Sequence, residues 1–136
     1  MLSAMNVDLT TALRIVAAAH AEAERRSILV SAAVVDAGGH LVAFGRMDGA
    51  EIAGPVLAVD KAYTAVANRI ATSELAALAA PGGELFGLHA NGNGRFVIFG
   101  GGVPLVADGA VVGGVGVSGA SAADDEACAV AGAAVV

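Results

Sequence analysis

Residues 96–126, FVIFGGGVPLVADGAVVGGVGVSGASAADDE, decide the fold. Arg95 to Phe99 reads as a strand, the triple glycine Gly100–Gly102 ends it, and Pro104 to Ala107 reads as another. Asp108-Gly109 is a two-residue hairpin signal, because both positions tolerate positive φ. Ala110 to Ser118 is the returning strand, and its glycines predict something packed closely over it. Ser121 can cap a helix whose first turn carries Asp124, Asp125 and Glu126, where the helix dipole favours negative charge.

Working outward, Leu9 to Arg26 has helical periodicity, with Asp8 as N-cap and Leu9, Leu13, Val16, His20 and Ala23 on one apolar stripe. Leu29 to Val35 is a branched, apolar strand. The turn 36–39 returns it as His40 to Met47, with His40, Val42, Phe44 and Arg46 on one face and Leu41, Ala43, Gly45 and Met47 on the core face. Gly54-Pro55 opens a helix running to about Arg69, since proline at the first position has no N–H to waste. Its buried stripe is expected to be Val56, Val59, Tyr63, Val66 and Ile70, with a more polar stripe of Leu57, Lys61, Thr64 and Asn68. Thr72 can cap a short helix that Pro81-Gly82-Gly83 ends. The order α-β-β-α-α-β-β-β-α, with short turns between strands, predicts an antiparallel sheet with helices packed on it.

Composition narrows the function. The 136 residues fit one domain, 1–136. With 57% hydrophobic but 4% aromatic residues and no Trp, the core must be Ala, Val, Leu and Ile. Net charge −6 argues against nucleic acid and against an anionic membrane surface. Mean hydropathy of +0.75 points to apolar surface hidden between copies of the chain, hence a homo-oligomer. Cys128 is the single cysteine, and the N-terminal stretch lacks the basic start of an export signal. The expectation is a cytoplasmic protein.

Candidate site residues are few. His20, in line with apolar neighbours, can ligate a haem iron or serve as an ordinary hydrogen-bonded histidine. No zinc-site spacing is present, so no other metal is expected. Lys61 can clamp a carboxylate, form a Schiff base if desolvated, or simply reach for water. Arg46 can take a carboxylate or propionate bidentately, or pair with Asp48 or Glu51. Gly100, Gly101 and Gly102 can form an anion-binding nest or a strand corner. No Gly-Lys-Ser/Thr follows the glycines, which excludes a P-loop, and a strand rather than a helix follows them, which excludes a dinucleotide fingerprint. Ser118 lacks a nucleophile-elbow context, so a serine hydrolase is excluded.

Five segments in order carry a family resemblance: AAVVDAGGHLVAFGRMDGA (32–50), VDKAYTAV (59–66), PGGELFGL (81–88), FGGGVPL (99–105) and GGVGVSGASAADDEACA (113–129). Together they resemble the GlcG/HbpS-like haem-degrading family, which includes the C-terminal domain of propanediol-utilisation adenosyltransferases. The resemblance implies an α+β, profilin-like layered fold: a five-stranded antiparallel sheet with helices on both sides, assembled into oligomers. It implies haem as cofactor, held in one branch by a first-helix histidine, the element that carries His20 here. The leading expectation is an oligomeric protein binding haem or a related tetrapyrrole, in haem handling or redox sensing, with Arg46 or Lys61 pairing with propionates. The alternative is an enzyme or accessory protein holding a small organic acid in an intersubunit pocket, using Arg46, Lys61 and the triple glycine. A scaffold that only assembles is the third. The chain departs from the family at Ser118-Gly119-Ala120, where Ser-Gly-Gly is usual, and at Arg69-Ile70-Ala71-Thr72, where Arg-Pro-Thr is usual.

Overall fold

A computed structural model describes residues 2–3 and 6–136. Two short strands, β1 (Leu2–Ser3) and β2 (Asn6–Val7), form an antiparallel ribbon. Helix α1 (Leu9–Arg25) follows, started by Asp8, whose carboxylate accepts from the Thr11 N–H at 2.9 Å. Then come β3 (Ser31–Asp36), β4 (Leu41–Arg46), α2 (Gly54–Asn68), α3 (Thr72–Leu78), β5 (Gly102–Ala107), β6 (Ala110–Ser118) and α4 (Ala122–Ala133).

Two hairpins, β3–β4 and β5–β6, join through the β3–β6 pairing, giving an all-antiparallel sheet in the order β4-β3-β6-β5. Asp108 (φ 50°) and Gly109 (φ 77°) make the expected β5–β6 turn, and the Ser121 hydroxyl accepts from the Asp124 N–H at 3.1 Å to start α4.

Side-chain alternation splits the strands between two faces. Ala32 and Val34 of β3, with Val115 and Val117 of β6, pack against Ile15 and Ala19 of α1 and Cys128 and Ala129 of α4. The other face carries Val35, Gly114 and Gly116, covered by α2. A Cβ at Gly114 would stand 2.6 Å from the Ala62 carbonyl oxygen, and one at Gly116 would collide with the Ala58 carbonyl. The β6 glycines therefore let α2 lie directly on the sheet backbone, as their frequency predicted. Small residues on both sides replace the aromatic filling this chain lacks.

Five expectations need correction. The sheet has four strands, not five: Arg95 to Phe99 is not a strand. That segment is tied to α2 instead. The Val97 N–H donates to Thr64 Oγ1 at 3.0 Å, Arg95 Nε donates to Asp60 at 3.0 Å, and Phe96 stacks on Tyr63. The buried face of α1 is Ala12, Ile15, Val16, Ala19 and Ala23; Val16 and Ala23 are buried as expected, while Leu9 and Leu13 of the same expected stripe are more than half exposed and lie on the flank of the helix. In α2 the buried face is shifted: Val66 is buried as expected, but Ala58, Lys61, Ala62, Thr64 and Ala65 are buried with it, Val59, Tyr63 and Ile70 are half-buried and Val56 is exposed, because backbone contact with β6 selects small residues over branched ones. Thr72 does not cap α3; it is the first helical residue, and its hydroxyl accepts from the Gly102 N–H at 2.9 Å. On β4, a register shift opposite Val34 and Val35 leaves Leu41 exposed, although Ala43 faces the core as expected.

Candidate functional site

Helix α2 places Lys61 over the end of β6, and the side chain is fully buried. Its ammonium donates to the Val117 carbonyl at 2.9 Å and to Asp125 Oδ2 at 3.1 Å, with the Phe99 ring centre 5.1 Å away. Asp125, on α4, is 2% exposed and also accepts from the Ala120 N–H at 2.9 Å. α2 and α4 cover opposite faces, so this ion pair passes the end of the sheet and joins the two helical layers. Burial pushes the Lys61 ammonium below its ordinary value, opposed by the charges of Asp125 and Glu51. Burial pushes the Asp125 carboxyl up, opposed by Lys61 and by backbone N–H donors.

The triple glycine sits against this pair. Gly101 (φ 131°) passes so close that a Cβ there would be 2.7 Å from Lys61 Nζ; a Cβ at Gly100 would be 3.1 Å from the Ala122 carbonyl oxygen. The Gly101 carbonyl accepts from the Val117 N–H, and the Gly102 N–H is spent on Thr72. The structure thus brings Lys61 and Gly100–Gly102 together as a close-packed corner.

His20 and Arg46 lie elsewhere. His20 Nε2 is 3.0 Å from the Gly45 carbonyl oxygen, and the ring fills the space a Cβ on Gly45 would need. A carbonyl only accepts, so Nε2 carries the proton and Nδ1 of the neutral ring keeps a lone pair. Arg46 pairs in register with Ser31, whose hydroxyl lies beneath Gly54 at the start of α2, so Arg46 belongs to the opposite face of the sheet from His20. Its Nη1 donates to the Ala50 carbonyl at 2.6 Å, closing the loop after β4, rather than to Asp48 or Glu51. Within one chain His20 does not converge with Arg46 or Lys61.

Asp125 is the residue that reading the acidic run as a helix start passed over. The signal was present: Asp125, Cys128, Ala129 and Gly132 repeat at helical spacing and are the buried face of α4. Asp124, one residue earlier, is on the outside and pairs with Arg26 at 3.0 Å. Among the described residues no cluster of three or more metal-ligating side chains occurs, and no helix is long and apolar enough to cross a membrane.

These features define a class: an α+β protein with a four-stranded antiparallel sheet, clamped between helices on both faces by a sealed lysine–aspartate pair. The chain belongs to the family described as haem degrading protein HbpS-like, whose model matches residues 7–134. It is similar to the 15.0 kDa protein in the dhaT-dhaS intergenic region of Citrobacter freundii, at 38% identity over 88% of this chain and 84% of that one. Its fold matches the crystal structure of Klebsiella pneumoniae protein ORFY with a TM-score of 0.92, at 32% identity over 95% and 89% of the two chains. It also matches a crystal structure of a PduOC:heme complex with a TM-score of 0.91, at 35% identity over 96% and 95%.

Proposed function

We propose that this chain binds haem or a related tetrapyrrole on the flank of α1 around His20, and that it serves haem handling or redox sensing. The observation that carries the reading is the likeness, across 96% of the chain, to a protein crystallised as a heme complex. The local chemistry fits. A haem needs an apolar surface and a ligand lone pair. Leu9 and Leu13 are more than half exposed and stand in line with His20 on the same side of α1. A ligating histidine is commonly oriented by donating its other ring N–H to a backbone carbonyl, which is what Nε2 does toward Gly45. When bound, the group would supply iron redox chemistry; the chain supplies the apolar seat and the oriented ring.

Self-association belongs to the same reading. Ile52 is 96% exposed, and Val56 and Phe86 about two-thirds exposed, on a chain with mean hydropathy of +0.75. A haem pocket using both His20 and Arg46 is one built between two copies. The small-acid reading at Lys61 is not favoured, because Asp125 already answers that charge.

Titrating the chain with haemin tests the reading. The expected result is a saturable, shifted Soret band that His20→Ala weakens. A spectrum indistinguishable from free haemin at stoichiometric protein contradicts it.

A further inference from the structure

At the far end of β6 from the Lys61–Asp125 pair, a concavity of about 700 Å³ opens between the two hairpin turns and the C-terminal half of α2. Its walls include Gly38 and Gly39 from the β3–β4 turn, Gly109 from the β5–β6 turn, and Tyr63, Val66 and Arg69 from α2. The volume lies within the usual range for small-molecule sites. We infer that this concavity binds a small organic monocarboxylate, with Arg69 taking the carboxylate and the Tyr63 ring lying along the apolar body.

Three observations carry the inference. Arg69 is in the left-handed conformation (φ 55°, ψ 41°) at the C-cap of α2, a position glycine usually fills, so its side chain leaves the helix at a fixed angle beside the cavity. Arg25, Arg26 and Arg95 each pair with a carboxylate, whereas among the described residues no carboxylate lies within ion-pair distance of the Arg69 guanidinium. A negative helix end favours a cation there but does not account for a cavity beside it. The Tyr63 wall is also fixed in place. The Arg95 guanidinium sits 3.8 Å from its ring centre, held there by Asp60, and Phe96 stacks at 6.2 Å. Gly39 (φ 83°) approaches so closely that a Cβ would be 2.9 Å from the ring. Glycine and alanine walls leave room for a short apolar body. Asp36 and Asp108 in or beside the two turns, on a chain of net charge −6, disfavour ligands with more than one negative charge.

Tyr63 is the single tyrosine and the chain has no tryptophan, so intrinsic emission reports on this wall alone. The experiment titrates the whole chain with sodium butyrate at constant ionic strength, with sodium chloride and citrate in parallel. The expected result is a saturable emission change for butyrate, with citrate much weaker. Arg69→Gly suits the left-handed backbone, so its unfolding midpoint is expected to hold while butyrate affinity falls at least about 10-fold. His20→Ala is expected to leave the butyrate response unchanged. The inference is overturned if butyrate gives no saturable change, if chloride gives the same change (an adventitious ion only), or if folded Arg69→Gly titrates like the parent.

Discussion

Lys61 Nζ and Asp125 Oδ2 meet at 3.1 Å inside the protein, and the two residues belong to helices on opposite faces of the sheet. The contact is a bolt through the layers. Removing one partner strands the other charge in an apolar site, which costs about 3–5 kcal/mol. Lys61→Met and Asp125→Leu are each expected to lose that much in urea unfolding. The double variant should recover most of it, retaining a deficit of about 1 kcal/mol because the Ala120 N–H loses its acceptor.

The pair also has a pH signature. Lys61 is lowered below 10.5 in the folded chain. Between its folded value and 10.5 the unfolded chain holds more protons, so stability rises with pH. Asp125 is raised above 3.8. Between 3.8 and its folded value the native chain holds more protons, so stability falls as pH rises. Unfolding midpoints across pH, compared with the double variant, should show both slopes in the parent and lose both in the variant.

The contact of α2 with the sheet depends on glycines that a methyl group would displace. Gly114→Ala puts a carbon 2.6 Å from the Ala62 carbonyl oxygen, a backbone atom that can move only with the helix. The expected cost is about 2–3 kcal/mol by denaturant unfolding. An unchanged midpoint would show that α2 is not seated as described.

Leu13 separates haem affinity from folding. It is 53% exposed, so Leu13→Asp should change stability by about 0.5 kcal/mol or less. If the α1 flank seats an apolar plate, the same change should weaken haemin binding, read from the Soret titration. Equal affinity in a folded variant would move the site elsewhere.

Local signals were legible in the residues. Asp8 and Ser121 cap helices because their side chains reach N–H groups three residues on, and Asp108-Gly109 turns because both accept positive φ. The β6 glycines announced close packing. The phase of α2 was legible only at Val66: the rest of its buried face is alanine, lysine and threonine, and only contact with a glycine-bearing strand makes alanine the better core residue there. The Lys61–Asp125 tie spans 64 positions, and nothing near either residue names the other. Arg95 to Phe99 has strand composition, but Thr64 and Asp60 claim its polar groups first. His20 was legible as a histidine among apolar residues; that Leu9 and Leu13 of its stripe lie on a flank while Val16 and Ala23 enter the core follows only from where the sheet sits.

The most direct test of the haem reading is the anomalous iron signal from crystals grown with haemin. The account predicts one iron peak in bonding contact with a His20 ring nitrogen, on the α1 flank beside Leu13. Iron located beside Tyr63 and Arg69, or haemin-treated crystals with no iron bound to the chain, would contradict it.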